Sequence, residues 1–281
     1  MNKPFQLKPV FIEGTKGPLF AMHHEPINRH TNNECIIVIP PFAEEMNRCR
    51  YMQTLLAQEL TKHGYGLLSV DPYGTGDSTG EFKEAGWQDW VSDSITSAEY
   101  SSQLGYKSIS ILAIRLGSLL AAAAMPSIEG LKRIILWQPI SNGKAALNQF
   151  LRLKIAAAMA RDEETETTTQ LEDKINQGQS IQVAGYDVSP ALFQGIHSAH
   201  LNNHLSFATT PISWLTISPN EERKTPRADL QIIEKWRSNG AEIEHKTVIG
   251  PAFWQAHERT LAPNLIPATI KAITSTEGQM A

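Results

Sequence analysis

The chain is predicted to fold as an α/β protein whose mostly parallel central sheet is covered by helices on both faces. Three observations predict this. Short unbroken apolar runs such as Cys35-Ile-Ile-Val-Ile-Pro40 and Lys107-Ser-Ile-Ser-Ile-Leu-Ala113 have the length and β-branched content of strands buried on both sides. Segments with apolar residues three and four apart lie between them. The two patterns alternate along the chain, so helical crossovers join successive strands and the strands run parallel.

The elements follow in order. Residues 7–12 and 17–23 flank Gly14-Thr-Lys-Gly17 and predict a β-hairpin. Residues 35–40 form a buried strand, 49–64 a helix stopped by Gly64, and Gly66-Leu-Leu-Ser-Val-Asp71 a second core strand. Trp87, Trp90, Val91, Ile95 and Ala98 share one face of a helix over 86–104. Strand 107–113, helix 116–125 and strand 132–138 come next.

The alternation breaks at Pro139. Residues 141–205 hold no strand of the core type but an apolar helix near 145–160, a charged, threonine-rich loop over 162–169, and a Gly185–Pro190 turn. This predicts a helical lid inserted into a core made of residues 1–140 and 206–281. The core resumes with strand 211–218, helix 226–238, strand 242–249 and a last helix over 262–275.

Composition narrows the function classes. A chain of 281 residues with 41% hydrophobic content is long enough for one large α/β domain. The formal charge of −4 gives no bulk basic signal for nucleic acid or an anionic membrane. Cys35 and Cys49 are too few for a disulfide framework and suit reduced thiols in the cytoplasm. The N-terminal residues lack an apolar signal region, and the most lipid-like run, 116–125, is half of the ~20 residues a membrane span needs. No cofactor is expected, and self-association is left open.

The strand-to-helix junction Ala113-Ile114-Arg115-Leu116-Gly117 occupies the position of the nucleophile elbow of α/β-hydrolases, G-x-S-x-G, in which a strained turn lifts a serine. Arg115 stands where that serine would be, and a guanidinium stays charged and does not attack carbonyls. Two readings follow: a structural ion pair, or an anion site at a helix N-terminus. A literal G-x-S-x-G at Gly76–Gly80 has the spacing but not the context, because the strand before it ends seven residues ahead of Ser78. Ser118 points into the first helical turn and is assigned to packing or local hydrogen bonding.

The other members of a catalytic triad are also altered. The oxyanion loop would be Pro40–Arg48, with Phe42 and Ala43 supplying N–H donors. Glu44 and Glu45 follow; one is expected in the pocket against Arg115 and one in solvent, either as pocket acids or as the start of a solvated helix. Glu221 falls near the usual acid position, with a solvated turn as the alternative. Leu116 and Trp254 are expected to line the pocket; Phe253 or Trp254 fills the usual histidine position, and His257 comes three or four residues late. His197, His200 and His204 would share a helix face, but no cysteine or carboxylate beside them completes a metal set, so no metal is expected.

Several segments together resemble the exosortase-associated hydrolase family, second type: Pro40-Pro-Phe-Ala-Glu-Glu-Met-Asn47, Gly76-Asp-Ser-Thr-Gly-Glu-Phe82, Arg115-Leu-Gly117, Leu136-Trp-Gln-Pro139 and Gly250-Pro-Ala-Phe-Trp-Gln255. The resemblance implies a bacterial cytoplasmic protein of the α/β-hydrolase fold that accompanies an envelope-protein sorting and exopolysaccharide system. It also implies that arginine at the elbow is usual there. The residues and the resemblance together predict binding of an anionic small molecule (a carboxylate, a phosphate or an acyl carrier). The alternatives are an active hydrolase or acyltransferase using Ser78 or Cys49, and a scaffold whose ion pair fills its own pocket.

Overall fold

The computed structural model describes residues 5–29, 33–203, 210–256 and 258–274. It has an eight-stranded sheet of order β1-β2-β4-β3-β5-β6-β9-β10. The first two strands, β1 (Phe5–Gly14) and β2 (Gly17–Pro26), form the predicted hairpin, and β2 lies antiparallel to β4 (Gly66–Val70). All other neighbours are parallel: β3 (Glu34–Ile39), β5 (Ser108–Ile114), β6 (Leu131–Trp137), β9 (Ile212–Ser218) and β10 (Ile243–Ile249). This is the α/β-hydrolase architecture expected from the sequence.

Strand alternation feeds two cores. Ile37 and Ile39 of β3 point to one face, where α2 (Trp87–Gln103), α3 (Gly117–Ala124) and α7 (Arg227–Ser238) supply Trp90, Leu119 and Trp236. Ile36 and Val38 point to the other, covered by Met52 and Leu56 of α1 (Glu44–Lys62) and Leu265 and Ile273 of α8 (Leu265–Thr274). A sheet sealed on both faces by apolar side chains explains why its strands read as unbroken runs rather than alternating ones.

Between β6 and β9 the chain forms α4 (Gly143–Ala160), α5 (Thr168–Asn176), a two-stranded hairpin of β7 (Ile181–Val183) and β8 (Tyr186–Val188), and α6 (Pro190–Ser198). The segment is therefore not purely helical. Asn142 caps α4 by accepting the Ala145 N–H at 2.9 Å, and Ser189 caps α6 by accepting the Leu192 N–H at 3.0 Å.

Several boundaries differ from expectation. Helix α1 begins at Glu44 rather than near 49, because Ala43 takes a positive φ of 52° and turns the chain into the helix. The expected 162–169 loop ends at Thr167, whose capping box with Gln170 starts α5. The last helix begins at Leu265 rather than 262. Helix α6 ends at Ser198, so His197 and His200 do not share a helix face; His204 lies outside the described residues. Among the described residues, no group of acidic, histidine and cysteine side chains is arranged to hold a metal, and no helix is long and apolar enough to cross a membrane.

His23 and His24 on β2 are buried, and that burial pushes both imidazoles down to about 4. They stay neutral in the folded chain while the unfolded chain takes up protons below its ordinary value of 6.5. Their contribution is complete above that value and lost as pH falls from 6.5 towards 4. Each histidine is expected to cost about 2 kcal/mol of stability by pH 5. Urea unfolding of His24→Phe between pH 7 and 4.5 checks this: the variant's stability is expected to fall less steeply than that of the wild type.

Candidate functional site

The elbow is built as the sequence places it. Strand β5 runs into Ile114, Arg115 takes φ 54°, and α3 starts at Gly117. The Arg115 N–H donates to the Trp137 carbonyl at 3.0 Å, and its own carbonyl accepts the Ile140 N–H at 3.1 Å. These bonds to β6 and the loop beyond it hold a backbone that an L-residue adopts only under constraint. Gly117 is required by close approach: a Cβ there would lie 2.5 Å from the Ile39 carbonyl oxygen and 2.7 Å from that of Pro40. The Ser118 hydroxyl sits 2.7 Å from the Arg115 carbonyl and 2.8 Å from that of Ile140, a local brace as predicted.

Arg115 opens onto a cavity of about 580 Å³. Its floor holds Phe42, Ala43, Glu45, Leu116 and Trp254, and α4 supplies an apolar wall of Ala146, Leu147, Phe150 and Leu153. The Arg115 side chain is only 13% exposed. Its Nε donates to both Glu45 oxygens at 3.3 and 3.2 Å, Nη2 donates to Oε1 at 3.2 Å, and Nη1 reaches the Gln138 carbonyl at 3.4 Å. The face of Trp254 lies 5.0 Å from Cζ. Arginine has five N–H donors, so one hydrogen on each terminal nitrogen remains for a further acceptor. The N–H groups of Phe42, Ala43 and Leu116, which border the same space, carry no hydrogen bond among the described residues.

Both glutamates border the cavity, and the expected division between pocket and solvent becomes one of floor and mouth. Successive residues on a helix point about 100° apart. That angle turns Glu45 inward onto Arg115 and leaves Glu44, half exposed at 50%, at the mouth. Glu44 pairs there with Arg48, whose Nη1 donates to the Gln255 carbonyl at 3.1 Å.

The remaining candidates do not join this group. Glu221 is exposed in the turn after β9 and does not line the Arg115 cavity. His257 lies outside the described residues. Ser78 uses its hydroxyl to brace the Asp71 carbonyl and accepts the Phe20 N–H at 2.8 Å, tying its loop to β2. Cys49 is buried, and that burial pushes its thiol far above the ordinary value, the reverse of an activated nucleophile.

Strain gathers around the cavity. Six non-glycine residues among those described have positive φ. Ala43, Arg115 and Ala184 line the cavity, and Gln138 holds Arg115. A second cavity of about 370 Å³ lies beyond Phe42, under the Pro72–Glu81 loop and Tyr186. Phe42 separates the two, its ring 4.9 Å from Phe150 on one side and 6.0 Å from Trp90 on the other.

Two residues were missed by sequence reasoning. Arg48 had a visible signal, its spacing of four from Glu44 on one helix. Asp229, in the first turn of α7, accepts the Ser141 hydroxyl at 3.0 Å. Burial raises its carboxyl, opposed by that hydroxyl and by the Arg115 charge. Nothing in its local sequence marks it.

Residues 31–205, more than half of the chain, match the family model described as serine aminopeptidase, S33. No curated protein matches the sequence. Among solved structures, a highly thermostable carboxyl esterase from Bacillus coagulans in complex with glycerol is similar at a TM-score of 0.66 and 13% identity, covering 98% of this chain and 99% of that one. Est1E from Butyrivibrio proteoclasticus, bound to ferulic acid, is similar at 0.63 and 15% identity over 96% and 98%. A hypothetical protein from Pseudomonas aeruginosa is similar at 0.63 and 15% identity over 98% and 94%. At these identities the likeness is one of fold.

Proposed function

Because the chain belongs to the serine aminopeptidase (S33) family yet carries Arg115 in place of the elbow nucleophile, we propose that it binds an amphiphilic carboxylate or related anion without serine-type hydrolysis. One observation carries the reading: the elbow presents a guanidinium, not a hydroxyl, at the floor of a cavity whose opposite wall is apolar. The free N–H groups of Leu116 and Ala43 sit where the fold places its oxyanion donors. With the spare donors of Arg115 they offer a bound oxygen charge-assisted hydrogen bonds. Ala146, Leu147 and Phe150 take the apolar body. The segment over 141–205 then acts as the cover of the site, and Leu116 and Trp254 as its contact residues.

A scaffold role is the second reading, favoured by the Arg115–Glu45 pair, which already occupies much of the guanidinium. Calorimetric titration with dodecanoate, and with dodecanol as the neutral control, separates the two. We expect the carboxylate to bind and Arg115→Gln to weaken it by about tenfold or more. Failure of the wild type to bind any alkyl carboxylate sinks the binding reading and leaves the scaffold.

We further propose that the protein serves a bacterial exosortase and exopolysaccharide system from the cytoplasm. The Pro40–Asn47 and Gly250–Gln255 segments, which build the cavity floor, support this, as do two free buried thiols. An encoding locus without exosortase genes nearby would count against it.

Classical serine chemistry is expected to be absent. A fluorophosphonate probe is expected to leave the wild type unlabelled. Arg115→Ser is expected to give no turnover of p-nitrophenyl acetate above background. Neither cavity has a described histidine in its wall, and Trp254 covers the elbow where a general base would stand. Stoichiometric labelling lost in Ser78→Ala would instead establish a working serine.

A further inference from the structure

The two ion pairs in the cavity wall are built differently. Arg115 and Glu45 share three N–H···O contacts and are 13% and 24% exposed, a fixed pair. Arg48 is held in place independently of its carboxylate, because Nη1 is anchored on the Gln255 carbonyl. Glu44 has no such anchor. Its carboxylate is half exposed and touches Arg48 through a single contact, one turn away on α1. Exposed pairs at this helical spacing are held weakly, so Glu44 can turn to water at little cost.

We propose that Arg48 shares the acidic head of the bound ligand with Arg115, both lining the same cavity, and that Glu44 is a stand-in counter-ion that the head displaces from Arg48. The inference deepens the binding function proposed above and rests on it. Charge arithmetic supports it: Glu44, Glu45, Arg48 and Arg115 sum to zero with Glu44 in place and to one positive charge once it leaves. The cavity is therefore matched to a single negative charge, which selects a monocarboxylate over a phosphate dianion. Leu153, on the α4 wall and 52% exposed, places the apolar rim beside this entrance. A ligand with one carboxylate and an unbranched apolar tail meets both requirements.

The test is calorimetric titration of the full chain with dodecanoate, comparing wild type, Arg48→Gln, Arg48→Lys, Glu44→Gln and the Arg48→Gln/Glu44→Gln double variant. We expect Arg48→Gln to weaken binding about tenfold, with Arg48→Lys in between. Glu44→Gln is expected to tighten it about threefold by removing the competing carboxylate. The gain is expected to vanish in the double variant, because Glu44 acts only through Arg48. Opposite signs for two neighbouring charge removals are not produced by general destabilisation, and unchanged thermal midpoints check folding. Binding by Arg48→Gln within twofold of wild type, or weakening by Glu44→Gln, overturns the proposal. If Arg115→Gln loses affinity while Arg48→Gln does not, the binding function stands and this assignment falls. If the wild type does not bind dodecanoate, both fall together.

Discussion

Alanine in place of Gly117 is expected to cost the fold about 3 kcal/mol. The added methyl would sit 2.5 and 2.7 Å from two backbone carbonyl oxygens, those of Ile39 and Pro40. Backbone at the end of β3 cannot rotate away as a side chain can. Relief requires α3 to back off from the sheet or the Pro40–Ala43 loop to shift, and that loop forms the cavity floor. A thermal scan is expected to show a midpoint lowered by about 10 °C. Dodecanoate affinity is expected to fall with it, since the contact lies directly beneath the site. A midpoint within about 2 °C of wild type would mean that the close approach relaxes without strain.

Glu34→Ala is expected to cost more, about 4 kcal/mol, and to leave binding untouched. Glu34 is fully buried at the start of β3, where it meets Lys132 at 3.0 Å, Arg133 at 3.5 Å and the Ser110 hydroxyl. Removing it strips the carboxylate from a buried guanidinium that also donates to the Ala272 and Ile273 carbonyls of α8. Denaturant unfolding is expected to show a lower midpoint at an unchanged slope. Because Glu34 lies at the opposite end of the strands from Arg115, folded Glu34→Ala is expected to bind dodecanoate as wild type does. A loss of affinity would show that the two ends are coupled.

The sheet was legible because burial on both faces leaves unbroken apolar runs, and every parallel strand was placed within one residue. What escaped was local backbone geometry. Ala43 and Ala184 adopt positive φ, a conformation usually marked by glycine or asparagine. The start of α1 therefore carried no visible sign, and at the Val183–Tyr186 turn only Gly185 (φ 87°) did, which set the expected turn over 185–190, where the chain instead forms β8. The hairpin strands are three residues each, too short for a period to register. The start of α5 did have a signal, the Thr167 and Gln170 capping box, inside a segment whose charge suggested a loop.

At the site, the position of Arg115 was readable because it follows from a strand entering a helix. The presence of a carboxylate opposite was readable from Glu44 and Glu45. Which glutamate faced inward was not, because that depends on where α1 begins, and a shift of one residue rotates every side chain by about 100°. Asp229 was invisible for another reason. It approaches Ser141 and Arg115 only through the packing of α7 after β9, a tertiary juxtaposition with no local pattern.

The elbow keeps its positive φ although the serine that usually motivates such a turn is absent. The bonds that impose the geometry, from Arg115 to Trp137 and Ile140, involve only backbone atoms. The turn is thus a socket independent of its occupant, and the side chain at position 115 is a replaceable head delivered into the same space. Lysine, histidine or glutamate substituted there would be aimed at the cavity by an unchanged frame. A chain of this kind can exchange one cavity-facing group for another at a single codon, while a new reaction would still need partners that the present walls do not supply.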